Sequence, residues 1–252
     1  MSAPEGDGPQ RYGDIVVVGG GCYGSYYVRQ LRRAKAAGAV QWRRLVVVDR
    51  DPACAVSRDA EDVTLVALDW TLFFNEYLAA AAARGDEAVR DDAIVPSPLM
   101  PHLMSHWLVA RARARWPGRG VRVAPLEGAV DVPWQRTGND GTHYVSFATW
   151  ECPINCVEPA RCPHTRGPRA WSLPPTVRAF VETERLRGRK LDGPAVFHCA
   201  HRAYGVGMFD VADVVRADTL VAQAADGRAA EILVGTVSHC HGALAVVELA
   251  AP

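Results

Sequence analysis

Short apolar runs alternate with helical stripes along the first half of the chain. Residues 14–19, Asp-Ile-Val-Val-Val-Gly, are a continuous β-branched run, the pattern of a strand buried on both faces. A stripe at helical spacing follows over 25–37, with Tyr27, Val28 and Leu31 on one side. Residues 44–49, Arg-Leu-Val-Val-Val-Asp, read as a second buried strand. Between them, 38–42 reads as a small insertion. The pattern then predicts a third strand over 63–68, a helix over 71–84, a fourth strand over 93–96, a helix over 100–115 and a fifth strand over 121–125. Such βα alternation predicts an α/β fold, a doubly wound and mostly parallel sheet with helices on both faces.

The second half is less regular. A turn-rich stretch, Gly138-Asn139-Asp140-Gly141, precedes an alternating strand over 143–150. Residues 194–201, Pro-Ala-Val-Phe-His-Cys-Ala-His, read as a short strand ending in His198, Cys199 and His201. A loop over 204–207 and a helix over 211–225 follow. Residues 231–241 form a second such strand, ending in His239, Cys240 and His241. A last strand over 244–249 is expected to return antiparallel after Gly242. The expected division is a disordered tail over 1–13, a dinucleotide-binding domain over 14–128 and a cysteine-rich α/β region over 129–252, which could complete the same sheet.

Composition sets limits. The 252 residues are 49% hydrophobic and 22% charged, enough apolar material for a core without disulfides. The 28 basic and 28 acidic residues cancel, which argues against a general nucleic-acid binder. Lysine occurs only at Lys35 and Lys190. No apolar run approaches the roughly 20 residues of a membrane span. The polar start lacks the apolar stretch of a secretory leader, and seven cysteines are an odd number. The expectation is a cytoplasmic protein with reduced thiols.

The first candidate chemistry is the glycine run after the first strand. Gly19, Gly21 and Gly24 fit G-x-G-x-x-G, with a strand before and a helix after. Glycine permits the tight turn and close backbone approach that a pyrophosphate needs, and the helix N-terminus presents N–H groups to its charge. Asp49 ends the second strand, where a carboxylate can accept hydrogen bonds from a ribose diol. The segment 14–125 resembles the Rossmann-type NAD-binding domains, especially the TrkA N-terminal (RCK) kind. Asp49-Arg50-Asp51 after the second strand and Leu65-Val66-Ala67-Leu68-Asp69 at the third carry that resemblance. It implies NAD(P) as cofactor, contacted by Gly19, Gly21, Gly24, Asp49 and Asp69. Asp49 favours NAD, and Arg50 leaves NADP open. Cys22, at the start of the first helix, reads as a reactive thiol or a small filler. His102 and His106, four apart on a helix, read as metal ligands or as hydrogen-bonded imidazoles.

The second candidate is residues 152–163, Cys-Pro-Ile-Asn-Cys-Val-Glu-Pro-Ala-Arg-Cys-Pro. Cys152, Cys156 and Cys162 have the spacing C-x3-C-x5-C, and the prolines stiffen the loop and remove N–H donors. Zinc sites usually pair C-x2-4-C knuckles, and here no second pair follows. Cys-Pro steps occur in ferredoxin-type runs, which favours an iron–sulfur cluster over zinc. A stiffened loop of buried thiols is the metal-free alternative. For a fourth ligand the candidates are Cys199 and Cys240, with His164 close in sequence. If the two His-Cys strands ran with the first strand, their ends would share the edge that carries the glycine loop.

These features predict an NAD(P)-binding iron–sulfur protein, an oxidoreductase acting on a small-molecule substrate or redox partner, with no catalytic residue assigned. The alternatives are a TrkA-like redox or nucleotide sensor without turnover, expected as a homo-oligomer, a zinc-binding Rossmann protein, and an S-adenosylmethionine-dependent methyltransferase.

Overall fold

The computed structural model describes residues 8–153 and 156–252. In chain order, the first half contains β1 (Gln10–Val18), α1 (Cys22–Ala36), β2 (Val40–Asp49), β3 (Thr64–Ala67), α2 (Trp70–Arg84), β4 (Ala93–Val95), α3 (Leu103–Arg115) and β5 (Val121–Ala124). Next come β6 (Trp134–Thr137), β7 (His143–Ser146), α4 (Leu173–Leu186), β8 (Asp192–His198) and β9 (Ala200–Ala203). The chain finishes with β10 (Val206–Asp210), α5 (Val211–Ala224), β11 (Ala230–Val237) and β12 (His241–Leu249).

The fold is α/β, but its strands form two mixed sheets rather than one doubly wound sheet. The first has the order β3-β2-β1-β4-β10-β9. Its first four strands are parallel, and β10 and β9 add antiparallel. The second has the order β6-β7-β12-β11-β8, with β5 also paired to β12. Only β8 and β11 are parallel there. The strand expected as the fifth of the N-terminal sheet, 121–125, is β5, and it lies antiparallel on β12 in the second sheet. Its four residues carry no information about which distant edge they will pair with. The fifth place in the first sheet goes to β10, which begins in the predicted loop over 204–207 and ends just before the predicted helix over 211–225. The stretch 38–42, read as an insertion, instead begins β2: Val40 and Gln41 pair with Gln10 and Arg11. Residues 1–7 of the expected tail lie outside the described residues.

The layering explains the apolar runs. In β1, Ile15 and Val17 face α1, while Val16 and Val18 face a core shared with α2, α3 and α5. In β11, Ile232 and Val234 face that same shared core, while Leu233 and Val237 face α4. Each sheet is therefore covered on both sides, with α2, α3 and α5 sandwiched between the sheets. The helices obey the same logic. α1 and α4 gather their apolar residues on one face, whereas α3 buries Leu103, Met104, Trp107, Leu108 and Val109 around much of its circumference. A buried charge inside this layer is satisfied: Asp218 of α5 accepts from Arg111 and Arg115 of α3, the latter at 2.8 and 2.9 Å.

Phe197 of β8 and Phe209 of β10 are both fully buried, with ring centroids 5.5 Å apart, so one aromatic pair joins the two sheets. Phe197→Ala should therefore lower the unfolding free energy by about 3–5 kcal/mol. Urea unfolding followed by circular dichroism and tryptophan fluorescence should still give one coincident transition. Two separate transitions would show that the sheets fold independently.

Candidate functional site

The glycine loop leads β1 into α1. A Cβ at Gly24 would lie 1.8 Å from the Gly19 carbonyl oxygen, so the helix packs against the loop through glycine. A Cβ at Gly21 would meet nothing within 4 Å, so that face of the loop is open. No side chain caps α1 at Gly21, which leaves its first N–H groups without an intramolecular cap. The Asp49 carboxylate accepts from the Gly20 N–H at 2.6 Å and from the Asp51 N–H at 2.9 Å. Gly19, Gly21, Gly24 and Asp49 thus converge. Asp69 follows β3, the strand paired with the one that Asp49 ends, and is the N-cap of α2, accepting from the Thr71 N–H at 2.8 Å. Cys22 is exposed on the first turn of α1.

The three clustered cysteines share one cavity of about 220 Å³, beside the stacked rings of Trp150 and His164, whose centroids are 4.4 Å apart. Cys162 opens a tight turn in which its own N–H donates to the Gly167 carbonyl and the Arg166 N–H donates back to Cys162, both at 2.9 Å. The backbone of Thr165 foremost, with its hydroxyl and the His164 backbone, holds the Cys162 thiol below its usual range despite burial. Backbone N–H groups turned towards a thiol favour the thiolate. Cys152 is pushed the other way, by burial and by the negative charge of Cys156 and Cys162.

Glu158, between Cys156 and Cys162, organises the rest of the site. Its backbone is left-handed (φ 47°) and its side chain is 4% exposed. The carboxylate accepts from the Ser238 hydroxyl at 2.6 Å, the His239 N–H at 2.8 Å and the Cys240 N–H at 3.1 Å. His201 Nδ1 lies 3.7 Å away. Burial opposes ionisation, but these donors together with His201 keep the carboxyl below its usual range. One carboxylate therefore ties the cysteine loop to the turn between β11 and β12. Nothing in residue type or spacing singled out Glu158, because its partners are some 80 positions away in the chain.

The two His-Cys steps do not end strands of the first sheet. His198 ends β8 and Cys199 precedes β9, while His239 and Cys240 form the turn into β12. The steps nevertheless converge, since β8 and β11 are parallel neighbours. The His198 and His239 rings are 4.7 Å apart. His239 Nδ1 is 2.8 Å from the Ser172 hydroxyl, and His241 Nδ1 is 3.0 Å from the Ser146 hydroxyl. His198 Nε2 and His201 Nδ1 are buried without a hydrogen-bond partner. Burial pushes the thiols of Cys199 and Cys240 up to about 12. Cys240 also accepts a hydrogen bond from Trp171 Nε1 at 3.2 Å and feels the charge of Cys152.

Cys152, Cys156, Glu158, Cys199, His201 and His241 line a second cavity of about 460 Å³. A third, of about 300 Å³, shares Cys199, His201, Ser238 and His241 with it and reaches Tyr27 of α1 and Pro96 beyond β4. The cysteine loop, the imidazoles and the C-terminal edge of the parallel strands thus face adjoining spaces. Among the described residues, no three His, Cys, Asp or Glu side chains already stand around a single point as metal ligands. His102 and His106 sit elsewhere, at the start of α3, with rings 4.6 Å apart and Asp140 3.9 Å from His102 Nδ1.

Two outcomes follow from this geometry. Glu158→Ala leaves buried donors of the β11–β12 turn without an acceptor and should cost about 3 kcal/mol, measured by urea denaturation, while Glu158→Gln should cost less. Equal stability of all three proteins would exclude the clamp. Secondly, burial lowers the pKa of His106, His143, His198, His201, His239 and His241 from the ordinary 6.5. Below that pH the unfolded chain binds more protons than the folded one, so stability should fall as the pH drops from about 6.5 towards 5. Unfolding free energies that stay flat from pH 8 down to about 5 would contradict this.

No curated protein and no solved structure matches the chain. Residues 104–250, more than half of the chain, do match a family. The match runs from α3 to β12 and takes in the cysteine loop, Glu158 and both His-Cys steps. This chain belongs to the AF_1314_C family, whose description reads "Uncharacterized protein, C-terminal domain".

Proposed function

We propose that this chain is a dinucleotide-binding metalloprotein that works as an oxidoreductase. Cys152, Cys156 and Cys162 hold an iron–sulfur cluster, with Cys240 as the fourth thiolate. The observation that carries this reading is the cavity that Cys152, Cys156 and Cys162 line together, with Cys162 on a tight turn, 162–167, that lowers its thiol's pKa. Hydrogen bonds to ligand sulfurs are one of the means by which proteins stabilise and tune such centres. Cys240 is favoured over Cys199 because it lies within electrostatic reach of Cys152, whereas the Cys199 sulfur abuts Gly207. The donor set therefore suits a thiolate-bound cluster, which when bound supplies one-electron or Lewis-acid chemistry.

The dinucleotide half of the proposal rests on the first sheet. Parallel strands in the order β3-β2-β1-β4, an open glycine face at Gly21 and an uncapped α1 together suit a pyrophosphate. NAD(P) is the cofactor this reading names, as in the TrkA-like Rossmann domains that the segment resembles. Tyr27 and Pro96 bring this half to the cavity that also holds Cys199 and His201. In this reading the nicotinamide supplies hydride, and the chain supplies placement and a water-poor site between its two halves.

Anaerobically purified protein should be coloured and should contain iron and acid-labile sulfide. Cys156→Ala and Cys240→Ala should abolish or sharply reduce both, and calorimetry should show binding of NADH or NADPH. A colourless protein loaded with zinc would overturn the cluster. A metal-free protein would overturn the metal centre, and absence of NADH and NADPH binding would overturn the dinucleotide site.

A further inference from the structure

The cavity of about 300 Å³ between the two sheets has a chemical character of its own. Its size falls at the lower end of the roughly 300–1,000 Å³ range of small-molecule pockets. Both halves of the chain build it: Tyr27 and Pro96 from the first, and Tyr144, His201, Thr236 and His241 from the second. Among the described residues, no Lys, Arg, Asp or Glu lines it.

Charged side chains stand behind the lining and are hydrogen-bonded there. The Glu158 carboxylate accepts three hydrogen bonds from the β11–β12 turn. Arg202 is paired with Asp210 at 3.0 Å. Arg169 donates to the carbonyls of Pro159 and Trp171 at 3.2 and 3.1 Å. An ion entering this space would lose hydration with no charged side chain on the wall to replace it, a cost of several kcal/mol. Uncharged polar groups fare differently. The His201 ring meets the lining through Nε2, which a Cβ on Gly207 would approach to 3.6 Å, and the Thr236 hydroxyl and His241 offer further hydrogen bonds. Tyr27, Tyr144 and prolines supply apolar walls.

We propose that this cavity is a binding site for an uncharged, partly apolar small molecule bearing a carbonyl or hydroxyl group. His201 and Thr236 hold its polar group, while Tyr27 and Tyr144 flank its apolar part. The assignment rests on the cavity alone and stands whether or not the cysteines hold a metal or the glycine loop a dinucleotide.

Three probes of one shape and different charge test it: benzamide, benzoate and benzamidinium. Binding to the full chain is followed by calorimetry or ligand-observed NMR at about pH 8, where ordinary imidazoles are neutral. Benzamide should bind, and each charged probe should bind at least about tenfold more weakly, the factor that about 1.4 kcal/mol represents. Ser97→Trp, which places an indole at the cavity wall, should weaken benzamide at least tenfold without changing the melting temperature. Should that variant fold poorly, Thr236→Val is nearly isosteric and should still weaken benzamide severalfold. Equal or tighter binding of benzoate or benzamidinium would overturn the proposal. So would a failure of benzamide to bind, or benzamide binding untouched by both substitutions. Metal content and NADH binding, measured on the same preparations, report separately on the metal and dinucleotide centres.

Discussion

Two sheets share one layer of helices, and that constraint organises the molecule. α2, α3 and α5 are enclosed from both sides, so they cannot carry the polar outer face of an ordinary surface helix. The ion pairs between Asp218 and the arginines of α3 show how the layer handles a charge it must contain: the carboxylate is almost fully hydrogen-bonded before it is buried. Because the sheets clasp the same helices, β10 of one lies near β8 of the other. The C-terminal end of β4 is thereby brought opposite the ends of β8 and β11. The cavity of about 300 Å³ occupies that junction.

Glu158 performs at the site what the helical layer performs in the core. A single buried carboxylate gathers donors from Ser238, His239 and Cys240 and so sets the cysteine loop against the second sheet. Its left-handed backbone is uncommon for a residue with a side chain. Surrounding packing and three charge-assisted hydrogen bonds offset that local cost. The loop's cysteines face cavities built by the second half, and the adjoining cavity at His201 and His241 is the one that both halves build, with Tyr27 on its wall.

Much of the local architecture was legible in the residues. The β-branched runs of β1, β2 and β11, the glycine turn into α1 and the antiparallel return of β12 follow from patterns within about twenty residues of each other. The two His-Cys steps were legible as a repeat after apolar strands, and their meeting was expected only if both strands joined the first sheet. Their location was not legible: they belong to the second sheet. Val121–Ala124 was equally misplaced, because its alternation suits any half-buried edge and its partner is β12, more than a hundred positions on. The β9–β10 hairpin was missed because Tyr204 and Gly205 punctuate it as a turn, while Gly207 weakens the strand pattern of β10.

By itself the sequence determined which segments become strands and helices, where the chain turns, and which thiols and imidazoles are available for chemistry. These depend on backbone geometry and on interactions between near neighbours in the chain. Only the tertiary structure decided that the strands divide into two sheets, that β10 enters the first antiparallel, and that Glu158 joins the cysteine loop to the Cys240 turn. It alone also left the cavity between the sheets without a lining charge. Each of those outcomes is a pairing of groups far apart in sequence, selected by burial and hydrogen-bond satisfaction across the whole molecule, and no local pattern encodes which distant partner will be met.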